Sequence, residues 1–151
     1  MNELSLFSGY GGFSLGLKLA RVDVRTIGYV EIDKYCQEVL KARMEDGILD
    51  EARIYEDIKT FDGTAWRGHV DILTGGFPCP PFSVAGVRSI ANGLEDERNL
   101  WPETLRLVRE IRPRIVFLEN VPGILSGNKK RGIPGYASIV VGQLAQEGYR
   151  V

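Results

Sequence analysis

Leu4-Ser5-Leu6-Phe7-Ser8-Gly9-Tyr10-Gly11-Gly12-Phe13 is the stretch from which the architecture follows. A short apolar run, Leu4–Phe7, breaks into a glycine-rich turn and reopens as an amphipathic pattern. That is a strand delivering its carboxyl end to the start of a helix. Four further apolar runs follow: Arg25–Val30, the short Ile54–Tyr55, Val70–Thr74 and Ile115–Leu118. Helical patterns separate them, and strands that are apolar on both faces belong to a parallel sheet covered by helices. The reading is an α/β fold with a doubly wound, mainly parallel sheet in one domain, residues 1–151. The chain stops at Tyr149-Arg150-Val151, where another strand is expected, so the sheet reads as cut short before its final strands.

Between the second and third runs, Ile32, Tyr35, Cys36, Val39 and Leu40 recur at helical spacing, which puts Cys36 on a core-facing stripe. A second helix is expected from about Leu100 to Ile111, with Pro102 in its first turn and Pro113 beyond its end. A third covers Tyr136 to Gln146 and stops at Gly148. Pro80–Glu97 reads as a long loop, a length usually reserved for functional lids or disorder. The tract Lys129-Lys130-Arg131 reads first as a solvated surface loop.

Hydrophobic content of 44% and charged content of 26% are ordinary for a globular domain. No apolar run approaches the ~18 residues of a membrane span, and the amino terminus lacks a signal-peptide pattern. The expected setting is therefore cytoplasmic, without a membrane partner. Two cysteines without ligand spacing and a single histidine give no metal-site pattern. Net charge of −1 provides no global footprint for nucleic acid, so phosphate contacts would need local patches or other segments.

The chemistry-bearing residues fall at strand ends. Glycines at 9, 11 and 12 let backbone approach a ligand at a helix N-terminus, although a ligand-free tight turn would use them too. Glu31 follows the second run roughly 20 residues later, where a carboxylate can accept from ribose hydroxyls. Asp57-Ile58 follows the third; Asp57 is placed to accept from an adenine amine, or simply to form a turn. The fourth run leads into Gly75-Gly76-Phe77-Pro78-Cys79-Pro80-Pro81-Phe82-Ser83, a thiol stiffened by prolines at a strand's carboxyl end. A lone cysteine is often just a small buried hydrophobe, but this setting suits a nucleophile. Glu119-Asn120 ends the fifth run, giving an acid for that thiol or a solvated turn.

Phe7-Ser8-Gly9-Tyr10-Gly11-Gly12, Glu31-Ile32-Asp33, Asp57-Ile58, Gly76-Phe77-Pro78-Cys79 and Phe117-Leu118-Glu119-Asn120-Val121 together resemble the ordered motifs of the DNA (cytosine-5)-methyltransferase family. The resemblance runs through essentially the whole chain. Pro80 departs from the glutamine most common in the family, and no Gln-x-Arg-x-Arg segment or variable target-recognition region is present.

The resemblance implies a Rossmann-like fold, S-adenosyl-L-methionine as methyl donor and DNA containing a target cytosine as substrate. It implies cofactor contacts from Phe7, Ser8, Gly9, Tyr10, Gly11, Gly12, Glu31, Ile32, Asp57, Ile58, Pro78 and Leu100. Cys79 would add to carbon 6 of cytosine, Glu119 would stabilise charge at ring nitrogen 3, best when desolvated and protonated, and Asn120 would hold the site in shape. Ser83, Arg88 and Arg98 would contact DNA from the loop after Cys79. The same resemblance leaves open an S-adenosylmethionine-binding half of a split enzyme, completed by another chain that supplies target recognition. It also leaves open RNA cytosine methylation.

Overall fold

The computed structural model describes residues 1–78, 99–125 and 135–151. They form two compact units, Met1–Gly76 with Arg106–Glu119, and Phe77–Leu105 with Asn120–Val151. The first unit holds the sheet: β1 (Asn2–Leu6), β2 (Arg25–Val30), β3 (Arg53–Tyr55), β4 (Ile72–Gly75) and β5 (Ile115–Leu118). Every pairing is parallel, in the order β3-β2-β1-β4-β5. Helix α1 (Gly12–Leu19) links β1 to β2 and α2 (Lys34–Glu45) links β2 to β3. Helix α3 (Trp101–Ile111) precedes β5, with residues 106–111 in this unit.

The strand order moves outward from β1 in one direction and then restarts on its other side at β4. Right-handed crossovers therefore place α1 and α2 on one face and the end of α3 on the other, which makes the sheet doubly wound. The reversal creates a switch point between β1 and β4, the place where open α/β sheets bind ligands.

Register then decides which residues share that edge. Leu6 pairs with Val30 and with Gly75, Val30 with Tyr55, and Gly75 with Leu118. All five strands end level, so Phe7, Glu31, Glu56, Gly76 and Glu119 leave the sheet along one edge. Leu4, Leu6, Tyr29, Leu73, Leu107, Val108 and Ile111 are completely buried around these strands. Each such side chain contributes about 1.5–3 kcal/mol of burial.

Two of the expected strand boundaries shift. The first strand starts at Asn2 and ends at Leu6; Phe7 leaves it with φ +49°, a left-handed conformation that no ladder accepts. The fourth runs Ile72–Gly75 rather than 70–74, carrying Gly75 into the ladder against Leu6 and Leu118.

The stripe expected on α2 is also corrected. Asp33 caps the helix by accepting the Cys36 N–H at 2.9 Å, so Ile32 lies before the first turn. Ile32 and Tyr35 are 69% and 70% exposed, and Cys36 is half-buried rather than in the core. The inward face is instead Gln37, Leu40 and Met44, because Gln37 is held down by its Nε2–H donating to Glu31 O at 2.6 Å.

In the second unit, α3 begins at Trp101, whose N–H donates to Asn99 Oδ1 at 3.2 Å. Tyr136 Oη–H donates to the same oxygen at 3.0 Å, and Trp101 Nε1–H to Gln143 Oε1 at 2.6 Å, tying α3 to α4 (Tyr136–Gln146). Arg112, the residue before Pro113, leaves the helix with φ +55°. Among the described residues no helix is long and apolar enough to cross a membrane.

Candidate functional site

At the switch point the turn after β1 is shaped by backbone that few residues tolerate. Phe7, Gly9 and Gly11 have φ of +49°, +52° and +80°. Ser8 folds back beneath them, its Oγ–H donating to Ser5 O at 2.9 Å and its carbonyl accepting the Gly11 N–H at 2.8 Å. A Cβ on Gly11 would lie 2.4 Å from Leu49 Cδ1, so glycine is required there by space as well as by φ. On the outer surface space is open, although φ at Gly9 still favours glycine. A Cβ on Gly9 or Gly12 would meet nothing within 4 Å. Helix α1 begins at Gly12 with no side-chain cap, so its first amides stay open to a ligand.

Glu31 fixes this turn to the next strand end. Its Oε2 accepts the Gly9 N–H at 2.7 Å and its Oε1 the Asp33 N–H at 2.8 Å, while the residue is only 8% exposed. Each oxygen keeps a second lone pair for a ligand hydroxyl. The carboxylate is thus pre-oriented by two backbone donors rather than left on a free side chain. Ile32 stands exposed directly after it, and Tyr10, 61% exposed, meets Tyr35 edge-to-face at 6.3 Å. Tyr35 is the surface residue that the helical periodicity misplaced; the Asp33 cap was the signal that could have moved it outward.

Beyond β3, Asp57 opens a turn: its Oδ1 accepts the Lys59 N–H at 2.8 Å and its carbonyl the Thr60 N–H at 3.2 Å. It therefore forms the turn, with Oδ1 held by the Lys59 amide and lone pairs left on both carboxylate oxygens. Ile58 is buried.

At the β4–β5 end, Glu119 N–H donates to Gly75 O at 3.1 Å. A Cβ on Gly76 would come within 2.9 Å of Glu119 Oε2, so the glycine is what lets this carboxylate rest over the end of β4. Glu119 is exposed. In the second unit Asn120 Nδ2–H donates to Phe77 O at 2.8 Å, bracing the backbone just before Pro78, which is exposed. Leu100, half-buried, accepts the Thr104 hydroxyl at 2.9 Å. Cys79, Ser83, Arg88, Arg98, the 80–97 loop and the basic tract at 129–131 lie outside the described residues.

The family model for C-5 cytosine-specific DNA methylases matches residues 1–151. The chain belongs to the C-5 cytosine-specific DNA methylase family. Among curated relatives, the type II methyltransferase M.NgoMIV of Neisseria gonorrhoeae is 35% identical over 97% of this chain and 43% of its own length. M.PspPI of Psychrobacter sp. (strain TA137), also a type II methyltransferase, is 37% identical over 98% of this chain and 33% of its own. This member of the family thus spans less than half the length of those relatives. In fold it is similar to a DNMT2 mutant from Spodoptera frugiperda, with a TM-score of 0.67 at 20% identity over 95% of this chain and 40% of that one.

Proposed function

We propose that this chain is the S-adenosylmethionine-binding and thiol-bearing portion of a DNA (cytosine-5)-methyltransferase. One observation carries the reading: Glu31, held by two backbone amides, stands beside an open glycine turn at the sheet's switch point. The residues fit the cofactor in kind. Glu31 suits ribose hydroxyls, and Ile32 with Tyr10 offers apolar surface for a purine. The uncapped start of α1 suits the carboxylate tail of S-adenosylmethionine. When bound, the cofactor supplies an electrophilic methyl group on a sulfonium.

Cytosine carbon 5 is too weak a nucleophile for that methyl until carbon 6 is attacked. In the proposed reaction the Cys79 thiolate forms a bond to carbon 6, and the ring electrons move to carbon 5 as Glu119 donates a proton or hydrogen bond at nitrogen 3. Carbon 5 would then accept the methyl group that a cofactor held by Glu31 and the glycine turn would supply, the donor leaving as a neutral thioether. Loss of the carbon 5 proton to a base, and then of the thiolate, restores the aromatic ring. The target base has to leave the duplex stack for this attack. Asn120 holds the Phe77 carbonyl and so steadies the approach to Pro78-Cys79. Ser83, Arg88 and Arg98 are proposed to meet the DNA.

The test is trapping on duplex DNA carrying 5-fluorocytosine, with the chain completed to the length of its relatives. Fluorine cannot leave as a proton does, so a covalent complex should accumulate. Cys79→Ala should abolish it and Cys36→Ala should not. Trapping that survives loss of Cys79 would sink the mechanism. Calorimetry on the 151-residue chain tests the cofactor separately: Glu31→Ala should lose most of the affinity for S-adenosylmethionine.

A further inference from the structure

Strand β3 has three residues and sits at the sheet edge, too little ladder to fix a side chain two positions beyond it. Yet the turn carrying Asp57-Ile58 is held firmly, by a guanidinium far along the chain. Arg106 Nη2–H donates to Ile58 O at 2.7 Å, and Nη1–H donates to Phe61 O at 3.1 Å. Nη1 also lies 2.8 Å from Glu110 Oε2, and that same oxygen accepts the Gly63 N–H at 3.0 Å. One Arg–Glu pair on α3 therefore grips the 58–63 segment by two carbonyls and an amide.

Two further observations agree. A Cβ on Gly63 would fall 2.7 Å from Glu110 Oε2, so the segment presses on the pair closely enough to need glycine. Beneath it, Phe61 packs edge-to-face on Tyr55 at 4.9 Å and against Trp66 at 5.6 Å. With side chains 32% and 24% exposed, Arg106 and Glu110 are sheltered enough for the contact to matter beyond an ordinary surface pair.

We propose that Arg106, aligned by Glu110, is a positioning residue for S-adenosylmethionine: it fixes the Asp57-Ile58 turn at which the adenine end of the cofactor is read. This rests on the cofactor reading proposed above, and extends it to Asp57, the carboxylate that the family resemblance gives to the adenine amine. A lysine cannot replace the planar fork, because its donors share one nitrogen and cannot span the Ile58 and Phe61 carbonyls as the two guanidinium nitrogens do.

The experiment is calorimetric titration of the 151-residue chain with S-adenosylmethionine and, in parallel, S-adenosylhomocysteine. It compares wild type, Arg106→Lys, Asp57→Ala and the double variant, with thermal unfolding of each. Arg106→Lys should weaken both ligands about tenfold, the scale of a charge-assisted hydrogen bond. The double variant should bind no more weakly than Asp57→Ala alone, since the two changes act through one turn. Amide exchange over residues 57–63 should quicken while that of α2 does not.

A lower melting temperature with unchanged affinity would make Arg106 merely structural and overturn the proposal, as would additive losses. Glu31→Ala separates the two readings: if it abolishes binding while Arg106→Lys does not weaken it, only this inference fails. If wild type binds neither ligand, both fall. Glu110→Gln keeps an acceptor for Gly63 but removes the charge that aligns the guanidinium, and carries the same comparison should Arg106→Lys not fold.

Discussion

Tyr29 shows how one buried side chain ties the site's scaffold to pH. Burial pushes its phenol up to about 12, with the nearby Thr26 side chain opposing that and the negative charges of Asp50 and Glu3 adding to it. Its hydroxyl donates to Asp50 O at 3.1 Å, which only the protonated form can do. An unfolded tyrosine ionises near pH 10. The stability held in the neutral phenol is therefore complete below about pH 10 and lost as pH rises through the folded value. Alkaline unfolding followed by tyrosinate absorbance should show this loss between pH 10 and about 12 in wild type. Tyr29→Phe, with no proton to lose, should be flatter across the same window, and equal slopes would refute the assignment. Cys36 behaves alike at lower pH: burial first, then the Asp33 hydrogen bond and nearby carboxylates, raise its thiol and disfavour the nucleophilic thiolate.

Strands and helices were legible wherever pattern and packing agreed. Arg25–Val30, Ile115–Leu118 and Tyr136–Gln146 form as their apolar runs indicate. The periodicity of α2 located the helix but turned its stripe outward, because Ile32 shares the spacing while lying before the Asp33 cap. Glu3 was not legible at all. A lone carboxylate at the head of an apolar run looks like a solvated strand end. Register instead buries it completely in the central strand, where it accepts Thr26 Oγ1–H from β2 and Thr74 Oγ1–H from β4, each at 2.6 Å. This pins the three strands whose ends form the switch point. Glu3→Ala strands two buried hydroxyls, each costing about 1–3 kcal/mol. Urea unfolding should show a loss of about 2–6 kcal/mol, and Glu3→Gln, which keeps an acceptor, should lose less. A Glu3→Ala chain within about 0.5 kcal/mol of wild type, the scatter of ordinary surface changes, would refute the role given to this cluster.

Across the whole molecule, the candidate site was legible to the extent that it is made of strand ends. Glu31, Asp57, Gly76 and Glu119 follow runs whose carboxyl termini the sequence marks, and the level register then sets them along one edge. Illegible were the groups that hold them, since the partners of Ile58 and Gly63 lie 48 and 47 residues away and no local pattern links them. Charge gives the last expectation at this scale. A net charge of −1 gives these residues no global attraction for phosphate, so few phosphate contacts are expected from them. Each phosphate neutralised contributes about −0.9 to the slope of log affinity against log salt. Fluorescence anisotropy of the 151-residue chain on a short duplex should therefore show weak binding with a slope shallower than about −3. Completion to the length of the relatives should steepen it, because phosphate contacts would come with the added residues. A slope near −6 or beyond for these residues alone would place the main DNA-binding surface within residues 1–151. The basic tract Lys129-Lys130-Arg131 would then be the first group to neutralise by substitution.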